Sequence, residues 1–210
     1  AADAASGLIL TAAAPLPWPE SSPMKPTTNT LSLPDGHPIS RSLAKAMRLA
    51  QAGDFDRAIA LLRTDRDSPY HCNALGVCLM RAGKLEEAVR VLRSLVLKPG
   101  CTWMKPELPL PFKLNFATAL FLSGRASGCL EMLNELRSEK DYPAIVRLRA
   151  EVAAWEQSLP WWPWLNWRIG RIDPSQHPQI AYPPGDFGIP LTSIEQPTPS
   201  TPEPPLPAAA

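Results

Sequence analysis

Three times between residues 40 and 137 an apolar run at helical spacing stops at a glycine, and a second such run starts immediately after it. The glycines are Gly53, Gly83 and Gly124, spaced 30 and then 41 residues apart. Leu43, Ala46, Met47 and Ala50 share one face before Gly53, and Phe55, Ala58, Ile59 and Leu62 share one face after it. The same grammar gives helices over 71–82 and 84–97, and over 112–123 and 125–137. A residue without Cβ enters the left-handed conformation that ends one helix and turns the chain into the next. The chain is therefore predicted to fold as repeated pairs of short antiparallel helices. No single pair buries enough apolar surface to stand alone, so the pairs must stack.

Proline marks the ends of this region. Of 26 prolines, seven precede residue 40 and eleven lie from Pro174 onward, while residues 40–98 hold only Pro69. Recurrent proline removes amide donors and clashes with the preceding helical turn. Residues 1–39 are thus expected to be flexible, 40–170 folded, and 171–210 a disordered Pro-rich tail. Within the folded part the units run over about 40–69, 70–99 and 111–140. A helix over 143–157, opened by Pro143 and carrying Ile145, Leu148, Val152 and Trp155 on one face, would cap the stack. The first residues hold a short apolar run ending in small residues, but no basic segment precedes it as a secretory signal requires. Residues 1–23 precede the first methionine, Met24, and read as an upstream extension, a processed product or part of a fragment.

These spacings resemble the tetratricopeptide repeat, whose pattern runs W-x2-L-G-x2-Y, then A-x3-F, then P. The second unit matches with Cys72, Leu75, Gly76, Leu79, Ala88, Leu92 and Pro99; the third with Phe116, Ala117, Leu120, Cys129 and Leu133; the first with Ala46, Leu49, Ala58, Leu62 and Pro69. Lys45 stands at an apolar position of the first unit, and the stretch 100–111 lengthens the second. The resemblance implies an all-α, right-handed solenoid of three helix-turn-helix units plus a C-terminal capping helix. It also implies that the first helix of each unit lines a concave groove. Carried over by position, the groove residues are Leu43, Met47, Asn73, Val77, Met80, Arg81, Leu114, Thr118, Phe121 and Leu122. Members that clamp a C-terminal carboxylate need Lys and Asn where this chain has Leu43 and Met47, so a mostly apolar peptide is the expected occupant. The alternative is that the chain covers its own groove, with the 100–111 loop or a terminal segment.

The resemblance implies an interaction module for a protein or peptide, with no cofactor and no small-molecule substrate. A secretion-chaperone-like role is one version of it. With 21 basic and 20 acidic side chains, no global field draws the chain to nucleic acid. No Gly-rich phosphate loop, G-x-S-x-G elbow or metal-ligand spacing is present, so catalysis has no motif to rest on. Glu86 and Glu87 enter a helix where acids complement its dipole. The four cysteines form no CxxC pair, and Cys72 and Cys129 fall on apolar helical positions, where a thiol behaves as a small hydrophobe, which favours a reducing, cytoplasmic setting. Five of the seven tryptophans fall within 155–167. Trp161, Trp162, Trp164 and Trp167 are expected to fold back as a seal over 158–170, because Pro160 and Pro163 oppose a continuous helix. A peripheral membrane anchor is the competing reading.

Overall fold

The structure, a computed structural model, describes residues 39–64 and 68–189. The expected flexible segment 1–38 and the last part of the expected tail, 190–210, lie outside the described residues. Eight α-helices follow in order: α1 Arg41–Gln51, α2 Phe55–Thr64, α3 Pro69–Arg81, α4 Leu85–Val96, α5 Leu110–Leu122, α6 Ala126–Glu135, α7 Pro143–Ser158 and α8 Trp161–Gly170. No strand occurs among the described residues; an isolated bridge joins Leu97 and Met104. The chain is thus an all-helical stack of tetratricopeptide-like pairs. Helices α1, α3, α5 and α7 pack one on the next, with α2, α4 and α6 as the outer partners of α1, α3 and α5.

The three glycine turns are one structure repeated. Gly53, Gly83 and Gly124 have φ of 80°, 73° and 79°. In each, the glycine N–H bonds the carbonyl three residues back, and the next N–H reaches five back: Asp54 to Leu49, Lys84 to Leu79 and Arg125 to Leu120, all at 2.9 Å. These paired bonds satisfy carbonyls that the helix end leaves open. Helix starts are equally local: Ser40 Oγ accepts from the Leu43 amide and Ser68 Oγ from that of Tyr70. Pro69, read above as the end of the first unit, is instead the first residue of α3, where its missing N–H costs nothing.

Within a pair, close approach depends on small residues. Ala46, Ala58, Ala88, Ala117 and Cys129 are all fully buried. At Gly76 an added Cβ would lie 2.5 Å from Leu92 Cγ, so α4 presses Leu92, rather than Ala88, onto the bare backbone of α3. Between units, ion pairs tie the outer helices together: Lys84–Asp56 at 2.7 Å, Arg63–Glu87 at 2.6 Å and Arg125–Glu86 at 2.6 Å. Glu86 and Glu87 therefore bridge neighbouring units as well as facing the α4 N-terminus. The 100–111 stretch docks on the outer helices, with Lys105 Nζ on the Leu95 carbonyl and the Met104 amide on Glu135.

The C-terminal part departs from expectation twice. The segment 158–170 contains a helix, α8, which meets the capping helix α7 through Trp167. Pro160 is its N-cap and Pro163 lies in its first turn, where amides have no intrahelical acceptor, so neither proline opposes the helix. Trp167 is buried edge-on against Trp155 at 5.4 Å, with its Nε1 donating to Glu156 at 2.7 Å. Trp161, Trp162 and Trp164 are exposed at 73%, 56% and 41%, so the expected four-tryptophan seal is made by Trp155 and Trp167. Residues 171–189, expected to be disordered, are ordered against the stack. The next subsection gives the reason.

Candidate functional site

After α8 the chain turns back and runs along the stack. Asp173 takes the Ser127 amide (2.8 Å) and hydroxyl (2.7 Å) at the start of α6. The Gln176 carbonyl accepts from Trp155 Nε1. Tyr182 lies under the Arg147 guanidinium of α7, 5.0 Å from the ring centre, and burial pushes its phenol pKa up. Residues 184–187 then cross α5 and α3.

This crossing is held by three side chains acting on main chain. Asn115 accepts from the Asp186 amide (2.9 Å) and donates to the Asp186 carbonyl (2.6 Å). Asn73 donates to the carbonyls of Asp186 and Phe187, both at 3.1 Å. The two carboxamides also bond each other, Asn115 Nδ2 to Asn73 Oδ1 at 2.7 Å. Arg81 donates to the carbonyls of Pro184 (3.0 Å) and Gly185 (2.9 Å) while its guanidinium covers the Phe187 ring. Burial lowers the Arg81 pKa from its usual value, and the carbonyls and aromatic face are what it meets in place of water. Asn73 and Asn115 are almost completely buried, and the strap supplies most of their partners. Without it, both Nδ2 protons of Asn73 would lose these acceptors, the kind of loss that costs about 1–3 kcal/mol per buried group.

Of the sequence-derived groove residues, Asn73 and Arg81 bond the strap directly, and Val77 and Met80 press against Gly185, where a Cβ would lie 2.9 and 2.8 Å from them. Leu114 and Thr118 line a cavity of about 290 Å³ left between the strap, α5 and α7. Phe121 meets Trp155 edge-on at 5.7 Å and so joins α5 to α7. Leu43, Met47 and Leu122 are buried in the hydrophobic core. Asn115, Phe112, Tyr182, Gly185, Phe187 and Gly188 escaped the sequence reading. Helix α5, LPFKLNFATALFL, carried a signal: its one charge is Lys113, and a helix apolar all round is a covered helix. The groove is covered by a terminal segment, and the 100–111 loop binds the outer helices instead.

Residues 42–64 and 69–94 match the tetratricopeptide-repeat family, and these spans are the first two helix pairs. The chain carries tetratricopeptide repeats. Such repeats mediate protein–protein contact and typically serve as scaffolds. No curated protein and no solved structure gave a significant match. Among the described residues no three His, Cys, Asp or Glu side chains gather as a metal site, and no helix is long and apolar enough to cross a membrane. Cys78 and Cys129 have thiol pKa values pushed up by burial to about 11 and about 12, which keeps them protonated and unreactive near neutrality.

Proposed function

We propose that this tetratricopeptide-repeat protein is a non-enzymatic adaptor that takes an extended peptide from a partner protein on the face of α3 and α5. The observation that carries this reading is the pair of buried carboxamides, Asn73 and Asn115, aimed at the main chain of Asp186 and Phe187. A carboxamide has one donor side and one acceptor side, as a peptide unit does, so it binds extended backbone as a neighbouring strand would. Selection of peptides from a display library on the full chain with Phe187→Glu, which removes the ring that anchors the strap, tests it. Binders lost on adding Asn115→Ala support the reading; a library that yields none, or only binders indifferent to Asn115, defeats it. Cys78 and Cys129, buried thiols outside any disulfide, fit a reducing, cytoplasmic setting.

A second reading rests on α8. Trp161, Trp162, Trp164, Ile169 and Ile172 are exposed beside Arg168 and Arg171, a composition suited to the headgroup region of a bilayer. Flotation with anionic vesicles, compared with a Trp161→Ser, Trp162→Ser variant, separates the two: a membrane role requires flotation that the variant loses.

A further inference from the structure

The strap shows what the groove selects. All six hydrogen bonds that Asn73, Asn115 and Arg81 make with the strap involve its main chain, and they span four consecutive residues, Pro184 to Phe187. They bind backbone and engage no side-chain atom of the strap. Sequence is read elsewhere. Gly185 has φ of 81° and no room for a Cβ between Met80 and Val77; Gly188 has φ of 71° and a Cβ there would lie 2.8 Å from Phe112. Phe187 and Ile189 are buried at 3% and 5% exposure. Asp186 points outward, and its Oδ1 accepts from the Gly188 amide at 2.8 Å, which sets the bend between the two buried side chains. The strap therefore meets the groove with glycine, a turn-forming residue, phenylalanine, glycine and an aliphatic residue in that order.

The fit is incomplete, since the cavity of about 290 Å³ bounded by Leu114, Thr118, Ala144 and Arg147 remains beneath Tyr182 and Pro183. A segment with a larger apolar side chain at that level gains contacts that the chain's own strap forgoes. The strap offsets this deficit by its tether, which presents it at an effective concentration on the order of millimolar.

Resting on the peptide-binding reading above, we propose that residues 182–189 are a tethered imitation of the partner's ligand, and that the partner presents a Gly-x-Phe-Gly-aliphatic segment that displaces them. The strap keeps the groove closed to weak or mismatched peptides. A partner must carry the two glycines, the phenylalanine and an apolar group for the cavity.

The test uses a fluorescein-labelled peptide of sequence YPPGDFGIP and the full chain. A Gly185→Val, Phe187→Ser variant, with helix content checked by circular dichroism, is expected to bind it saturably and at least tenfold more tightly than the parent does. Binding is expected to vanish with Asn115→Ala added, or with both peptide glycines changed to alanine. A folded variant that ignores the peptide, or that takes the alanine peptide equally well, overturns the proposal. A second measurement does not depend on the variant folding: unlabelled peptide at millimolar concentration must accelerate amide exchange at Asp186 of the ¹⁵N-labelled parent chain, and unchanged exchange overturns the proposal. Concentration-dependent dimers of the parent whose straps are exchanged between copies also overturn it. Library binders that need Asn115 but lack the glycine–phenylalanine pattern would sink this inference and leave the peptide-binding reading standing.

Discussion

Replacing Asn115 by alanine isolates what the carboxamides contribute to closing the groove. The side chain makes three hydrogen bonds: one to Asn73 and two to the Asp186 main chain. The two strap bonds are worth about 1 kcal/mol each, net of the water they replace. Truncation also takes the Asn115 donor from Asn73 Oδ1 beneath the closed strap, a further cost of about 1 kcal/mol or more that opening to water relieves. The closed form should thus lose about 3 kcal/mol relative to the open one, or roughly a hundredfold in the opening equilibrium at about 1.4 kcal/mol per tenfold. Amide exchange at Gly188 reports this cleanly, because its acceptor is Asp186 Oδ1 within the strap and Asn115 does not touch it. Exchange at Gly188 should accelerate by about two orders of magnitude while the amides in the interior of α4 hold steady. Ser94→Ala, which removes only a hydroxyl bond to the Val91 carbonyl on the outer helix, should leave strap exchange unchanged. Acceleration below threefold in a folded Asn115→Ala protein would refute the argument and assign the strap's hold to the Asn73 and Arg81 bonds and to the burial of Phe187 and Ile189.

Gly76→Val should lower stability by about 1–3 kcal/mol in denaturant titration, since its side chain meets Leu92, and adding Leu92→Ala should recover part of the loss. Cys101, exposed, should react with Ellman's reagent in the native state, whereas Cys78 and Cys129 should wait for unfolding. Tyr182 has a folded pKa raised above its ordinary 10.0 mainly by burial. Its contribution is therefore complete below that value and is lost as pH rises through the folded value, so the strap should loosen in alkali. Tyr182→Phe should abolish that loosening when strap exchange is followed against pH.

The helix pairs were legible in the chain because every determinant is local. Gly53, Gly83 and Gly124 each act within six residues, Ser40 and Ser68 cap helices two or three residues on, and the apolar spacing that assembles α1 to α7 repeats within single helices. Helix α8 was missed because the turn before it has no glycine, and because Pro160 and Pro163 read as breakers until their position in the first turn is known. The groove residues were half legible. Position within the repeat located Asn73, Val77, Met80 and Arg81 on the face that residues 184–187 cover, but also named Leu43, Met47, Phe121 and Leu122, which packing encloses in the core. The occupant of the groove depended on the tertiary structure alone. Asn73 and Asp186 are separated by 113 residues and Asn115 and Asp186 by 71, and no periodicity relates them. Only after the pairs stack do two carboxamides on neighbouring helices come close enough to share one carbonyl, and only then does YPPGDFGI, a run of turn formers when taken alone, find a surface with partners for its main chain and room for glycine but not for a side chain.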